Sequence, residues 1–401
     1  MNTVLSFPRS AVPLTVTEAL AATERLAVRL GETAVERDAR GGHAAAERQL
    51  IRDSGLLTLS IPVQYGGPGT RWPVIYRVVR RIAEVDSALA HLLAFHHLQL
   101  AGLHLYGTPE QQAELYCDTL REGVFWGNAL NPRDKRALAV EVDGGFRIDG
   151  PKSFSSGSVG SDRLTFSAWH EATQSAIIAA IPTDAEGIVV ESDWDAFGQR
   201  QTDSGTVRFD HVFVPSRWVL QAPGVKPTPQ ATLRSQVAQL IVTNLYAGIG
   251  LGALNEARRY LLEEAAPWAA SGVARAIDDP FIQRRTAELW LKLKPAVVLA
   301  DAAAEALQDA WDEGHSLTAA QRGQVAIEVA EAKVLAHRAG LDTATEMFDL
   351  TGARSTSARY GYDRFWRNVR VHTLHDPVEY KLRDIGRHLL DGQWPEPTAY
   401  S

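Results

Sequence analysis

Residues 368–382, "NVRVHTLHDPVEYKL", hold two imidazoles three positions apart, His372 and His375, followed at once by Asp376 and Pro377. An imidazole gives and takes protons near neutral pH, so this pair suits general acid–base work. H-x-x-H can also present two nitrogens to a metal. A zinc centre needs a third ligand, however, and these two stand outside a helix interior, so no metal site is expected. Asp376, Pro377, Val378 and Glu379 fit N-cap, N1, N2 and N3 of a last helix. The aspartate would accept from free backbone N–H groups, the proline stands where its missing N–H costs nothing, and the glutamate completes a capping-box-like pattern. Asp376 is then a structural cap, and His375 stands beside the positive end of the helix dipole, which disfavours imidazolium and favours a nearby anion. Spacing alone leaves a second option, in which both imidazoles pack and hydrogen-bond within the turn.

Such residues need a framework. From Thr15 to about Cys117 the chain is rich in Ala, Leu and Glu with apolar residues three and four apart, a helical pattern interrupted by the Gly/Pro loop "IPVQYGGPGTRWP". Within "AHLLAFHHLQLAGLHLYG", His91, Phe95 and Leu98 mark one helix face; His97 and His104 mark another, which suits partly exposed surface as well as function. Between about Val124 and Leu220 the pattern turns to strands. "LAVEVDGGFRID" folds about Asp-Gly-Gly, "RLTFSAW" and "SAIIAAIP" pair across "HEATQ", and "GTVRFDHVFV" alternates. After the Pro-rich joint "QAPGVKPTPQ", three long candidate helices and a shorter one suffice for a bundle. The expected fold is an α+β multidomain chain: an N-terminal α-helical domain over 1–122, a central antiparallel β domain over 123–225 and a C-terminal four-helix bundle over 226–401. "GIGLGA" at Gly248–Ala253 imitates a dinucleotide fingerprint but lies inside a helical pattern, so close helix packing at Gly248 and Gly252 is expected instead.

The chain has 401 residues, 45% hydrophobic and 22% charged, with a net charge of −7, the composition of an ordinary globular protein with no basic face for nucleic acid. The lone Cys117 makes no internal disulfide. "MNTVLSFPRSAVPLTV" is broken by prolines and lacks a continuous apolar core, and no run of about 18 apolar residues occurs. A cytoplasmic protein that neither spans a membrane nor is exported is expected.

With "YGGPGT", "FWGNALNPRD", "KSFSSGSVGSD", "DWDAFGQRQTDSG", "TGARSTSARYGYDRFWRNVR" and "HTLHDP" in that order, the chain resembles the acyl-CoA dehydrogenase fold over essentially its whole length. It is most similar to the flavin-dependent monooxygenase branch, typified by dibenzothiophene monooxygenases and other sulfur-compound oxygenases. That resemblance implies FMN, with FAD as an alternative, supplied reduced by a separate NAD(P)H-dependent flavin reductase, O2 as cosubstrate and a homotetramer. The implied reaction oxygenates a small apolar substrate, an organosulfur compound first, through a C4a-hydroperoxyflavin. Two alternatives within the fold are N- or aromatic C-hydroxylation and an acyl-CoA dehydrogenase with an unusual base; a non-catalytic flavin-binding relative is a third.

A dehydrogenase of this fold needs a carboxylate base. The segment before the last helix reads Thr373 to Pro377 without Glu, and Val212 to Asn255 contains no Asp or Glu. The resemblance gives His375 and then His372 the proton-handling role, and places Asn128 and Ser156 at the flavin's reactive centre. Trp194 lines the same cavity, and His91 and Phe95 border the substrate with Trp194 and His375. Arg284, or Arg285 in its place, reaches the cofactor phosphate from a neighbouring subunit, and Arg354, Ser355 and Thr356 offer an anion-binding turn. Phe95 stands where the dibenzothiophene enzymes carry Tyr.

Overall fold

The computed structural model describes residues 13–131 and 133–401; the sequence readings on residues 1–12 and on Pro132 lie outside the described residues. Five helices come first: α1 (Val16–Arg40), α2 (Ala45–Asp53), α3 (Trp72–Ala83), α4 (Ser87–Tyr106) and α5 (Pro109–Glu122). The single helical pattern over residues 74–107 is split because the Asp86 side chain accepts from the Leu89 N–H, capping α4 after α3 has ended. Helix α4 is buried from Ser87 to Leu103. An all-round apolar helix has no wet face, so the surface option for His97 fails. Its Nδ1 lies 2.8 Å from Ser60 Oγ and its Nε2 3.0 Å from the Leu56 carbonyl. His104 is half-buried, stacked on Trp311 at 4.8 Å.

The strands are β1 (Trp126–Ala129), β2 (Leu138–Val142), β3 (Gly145–Lys152), β4 (Arg163–His170), β5 (Ser175–Pro182), β6 (Ile188–Val190), β7 (Val207–Pro215) and β8 (Val219–Gln221). They form one sheet in the order β6-β7-β3-β2-β4-β5-β8, with β1 beside β4. The expected hairpins are present, β2–β3 and β4–β5, both antiparallel. The sheet is nevertheless mixed, not purely antiparallel, because β1 runs parallel to β4 and β2 meets β4 in parallel at Leu138–Trp169. Alternation fixes which face a strand buries, not the direction of its neighbour. The chain leaves β3 and returns as β4 on the far side of β2, which leaves β4 aligned with β2.

Five helices follow: α6 (Leu233–Glu263), α7 (Pro280–Asp312), α8 (Ala319–Thr351), α9 (Asp363–Thr373) and α10 (Val378–Asp391). Helix α9 was not expected; its buried face, Phe365, Asn368, Val369 and His372, has helical spacing but spans only 11 residues. One core joins Leu26, Ile75 and Leu93 of the first helices to Leu240 and Leu245 of α6 and Ala300 of α7. Helix α6 is apolar and long enough to cross a membrane, but 89% of its most apolar 18-residue window is buried inside the protein, as befits a core helix.

"GIGLGA" lies within α6 and serves packing. A Cβ added at Gly248 would stand 2.5 Å from the Arg80 carbonyl oxygen, and one at Gly252 would stand 2.0 Å from that of Glu84. Only glycines let the end of α3 approach so closely. Gly252→Ala should therefore lower stability by about 1–3 kcal/mol through overpacking. Gly386→Ala in α10, where nothing lies within 4 Å, should raise it by about 1 kcal/mol. Urea denaturation of both variants checks this; a neutral Gly252→Ala removes the packing account.

Candidate active site

A cavity of about 990 Å³ opens between α4, the loops at one end of the sheet, α6 and the turn from α9 to α10. Helix α4 contributes His91 and Phe95, and β1 contributes Asn128. Ser156 comes from the loop after β3, Trp194 from the loop before β7, and His372 and His375 from the end of α9 and the turn beyond. These seven side chains, scattered over 285 positions from His91 to His375, thus share one wall. Arg284, Arg354, Ser355 and Thr356 do not line it. Arg284 is exposed on α7 and pairs with Glu288 at 2.8 Å, and Arg285 pairs with Asp349 at 3.0 Å. Arg354 is exposed; the Ser355 hydroxyl meets Thr351 Oγ1 at 2.7 Å, and Thr356 donates to the Ala353 carbonyl at 2.6 Å.

The Asp376 cap is overturned. Pro377 occupies the cap position of α10 with no side-chain cap bond. Asp376 Oδ1 instead accepts from Lys333 Nζ at 2.5 Å and lies 3.0 Å from His375 Nδ1. Lys333, on α8, is fully buried and also donates to Gln239 Oε1 at 2.7 Å. An unpaired buried ammonium costs several kcal/mol, whereas a cap contributes about 1 kcal/mol, so the charge claims the carboxylate. Burial alone would raise the Asp376 pKa, but the hydrogen bond from His375 and the Lys333 charge hold it well below the usual carboxylate range. At Lys333 burial outweighs Asp376 and pushes the pKa down. With Nδ1–H donating to Asp376, the tautomer this contact favours, His375 keeps Nε2 for the cavity. The Tyr400 ring packs edge-on against His375 at 5.3 Å, and the Arg133 guanidinium lies over that phenol at 4.6 Å.

His91 stacks on Phe95 at 3.9 Å and lies 4.9 Å from His372. Burial, reinforced by the neighbouring His375 and Lys333, lowers the His372 pKa to about 3. Burial followed by the two other imidazoles lowers that of His91 well below its ordinary value. Both rings are neutral at pH 7. Neither nitrogen of His91 nor Nε2 of His372 has a hydrogen-bond partner, an uncommon state for buried polar atoms. Ser156 Oγ meets Ser204 Oγ at 2.8 Å, and Ser204 in turn meets Thr202 Oγ1 at 2.8 Å. The Asn128 N–H donates to the Ser156 carbonyl at 2.9 Å, and Trp194 Nε1 donates to Gln199 O at 2.8 Å. Phe154, beside Trp194 at the rim, holds a left-handed φ of 58°.

This donor set fits an isoalloxazine. Hydroxyls, an amide and unpartnered imidazoles suit the nitrogen- and carbonyl-bearing edge, while Phe95, Phe154 and Trp194 suit the ring faces, and the volume admits a small second molecule. Sequence reasoning missed Ser204, Lys333, Tyr400 and Arg234. Arg234 carried a signal, as the one charged residue between Leu233 and Asn255, and Ser204 lies within "DWDAFGQRQTDSG"; Lys333 and Tyr400 owe their place to tertiary contacts.

Helices before and after a β layer, with a flavin-sized cavity where the three meet, define a class of flavoprotein architecture. Residues 19–122 match the N-terminal domain of acyl-CoA dehydrogenases and residues 240–380 match the C-terminal domain. The chain is 45% identical to a probable FMNH2-dependent monooxygenase of Pseudomonas putida, over 96% of this chain and 97% of that one. Its structure is similar to the methanesulfinate monooxygenase of Pseudomonas fluorescens, with TM-score 0.93, 45% identity and coverage of 95% of this chain and 99% of that one. It is also similar to the FMN-bound form of TdsC, a dibenzothiophene monooxygenase from Paenibacillus sp. A11-2, with TM-score 0.92, 38% identity and coverage of 96% and 100%. The chain belongs to the acyl-CoA dehydrogenase family, in its flavin-dependent monooxygenase branch.

Lys333→Met should destabilise the protein by about 3–5 kcal/mol, because Asp376 is left buried and unpaired, and Lys333→Met/Asp376→Leu should recover most of it. Additive losses in chemical denaturation would deny the coupling. The neutral imidazoles set a pH dependence. His91 and His96 lie well below the ordinary value of 6.5, His97 is lowered to about 4 and His372 to about 3, all by burial first. The unfolded chain binds protons to these groups first, so stability is full above pH 6.5 and falls towards pH 4, by about 1.4 kcal/mol per imidazole per pH unit. A flat urea midpoint between pH 7.5 and 5.5 would contradict the burial.

Proposed function

We propose that this chain is a two-component monooxygenase that takes reduced FMN from a separate NAD(P)H-dependent flavin reductase and uses O2 to oxygenate a small organosulfur compound. The observation that carries this reading is the proton-handling group on the cavity wall. It is the imidazole edge of His375, and the adjacent carboxylate is committed to a buried ammonium. A dehydrogenase needs a free carboxylate near the substrate α-carbon. Here Asp376 is tied to Lys333, and among the described residues the one carboxylate lining the cavity is Asp195, on the Trp194 loop.

Reduced flavin, when bound, supplies the two electrons with which O2 is divided between substrate and water. The chain's residues bind, orient and move protons. His375 Nε2 exchanges a proton with the reacting oxygen, Asp376 fixes the ring's tautomer, and Ser156, whose oxygen is held by Ser204, donates to the same oxygen or to the flavin edge. His372, neutral by burial, holds a second position beside it. Phe95, Trp194 and Tyr400 keep bulk water from the reacting centre. The homotetramer and the phosphate role of Arg284, Arg354, Ser355 and Thr356 belong to the same proposal. Arg284 stands outside its own chain's cavity, as a side chain that serves a neighbour's cofactor does. The proposed location is the cytoplasm, where NAD(P)H is at hand.

Mixing the protein and anaerobically reduced FMN with oxygen in a stopped-flow instrument should give a transient absorbance distinct from oxidised FMN. Monotonic reoxidation to oxidised FMN would sink the proposal, and bleaching of oxidised flavin by an acyl-CoA thioester would establish the dehydrogenase. His375→Ala should bind FMN nearly as the parent does and lose about 10²–10⁴-fold in oxygenation rate. Unchanged turnover would remove His375 from the mechanism.

A further inference from the structure

Arg234 stands on the cavity wall as the second residue of α6. Its Nη2 donates to Gln99 Oε1 at 3.2 Å, and its Nε is buried without a partner. Among the described residues it has no ion-pair partner; Asp195, elsewhere on the cavity wall, does not reach it. Arg234 is half-buried; a guanidinium stays charged near neutral pH, and withdrawing part of it from water without an anion carries a cost. Burial depresses its pKa, and only the Tyr106 phenol offsets this slightly. The fold makes room for it all the same: a Cβ at Gly102 would stand 3.2 Å from Arg234 Nε. The hydroxyls of Thr232 and Ser235, which share this wall, are already spent on the Pro229 and Thr232 carbonyls at 2.7 and 2.9 Å, so the guanidinium is the donor left for an oxyanion.

Two features set where an anion would lie relative to the reacting centre. Gln99, the partner of Arg234, is eight residues along α4 from His91, about 12 Å at the α-helical rise. Between them run Phe95 and Leu98 of α4 and Ala238 and Val242 of α6, an apolar strip facing the cavity. We infer that Arg234 forms an oxyanion subsite at the end of the cavity away from the imidazoles, and that the substrate is an apolar organosulfur body carrying a separate acid group. The apolar strip holds the body, the guanidinium holds the acid, and the sulfur lies towards His375. The inference rests on the organosulfur reading for the identity of the reacting atom, and on Arg234 alone for the charge.

The test compares 4-(methylthio)benzoate with neutral thioanisole by isothermal titration into FMN-loaded protein, without turnover. The carboxylate should bind at least tenfold more tightly. Arg234→Met should abolish that preference while leaving thioanisole affinity and melting temperature near parental, and Arg234→Lys should keep part of it. Equal affinity of the parent for the two probes, or failure of the carboxylate to bind, overturns the subsite. Arg234→Met weakening FMN but not riboflavin also overturns it, because the guanidinium would then hold the flavin phosphate. Thioanisole oxygenation without any preference for the acid leaves the monooxygenase standing and removes the subsite; an Arg234-dependent preference without oxygenation of either probe does the reverse.

Discussion

The Lys333–Asp376 ion pair is the interaction on which the cavity depends. Its ammonium comes from the middle of α8 and its carboxylate from the turn between α9 and α10, and Gln239 of α6 completes the contact. Three separate elements are thereby fixed at one buried point. Two charges out of water hold each other only with close geometry and satisfied hydrogen bonds, so the turn has little freedom to slide. His375 is the next residue before Asp376 and shares its oxygen. The imidazole that faces the cavity is therefore positioned by the electrostatics of the helical core.

The same arrangement explains how one fold changes its chemistry. Asp376 is close enough to the cavity to tempt a reading as a base, yet its charge and hydrogen bonds are already engaged. What remains exposed to a bound molecule is the far edge of His375, flanked by His372 and His91, which burial keeps uncharged. Neutral rings offer hydrogen bonds without competing for an anion's counter-charge. A site of this kind can stabilise a proton in transit without itself presenting a strong base.

Much of the architecture was legible in the sequence because local patterns carried it. Asp-Gly-Gly forms the turn between β2 and β3, the polar link after His170 separates β4 from β5, and Gly248 and Gly252 inside an apolar helix announce close packing. Seven of the expected site residues share the cavity wall. What could not be read was what tertiary partners decide. The parallel pairing of β1 with β4 depends on chain path, and helix α9, at 11 residues, is a short pattern crowded between two turns. Asp376 had a good local role as a cap, and lost it to Lys333, 43 positions away, which no local pattern announces. Tyr400 reaches the cavity the same way.

The cavity wall is assembled from both groups of helices and from the sheet between them, with no single layer enclosing it. Any molecule that fits must bridge all three, and it binds only the chain in which they are docked. Occupancy and docking are then thermodynamically linked, each stabilising the other by an amount that grows with ligand concentration over its dissociation constant. The melting temperature of the whole chain becomes a reporter of cavity occupancy. A library of sulfur compounds could be ranked by thermal shift before any of them is turned over.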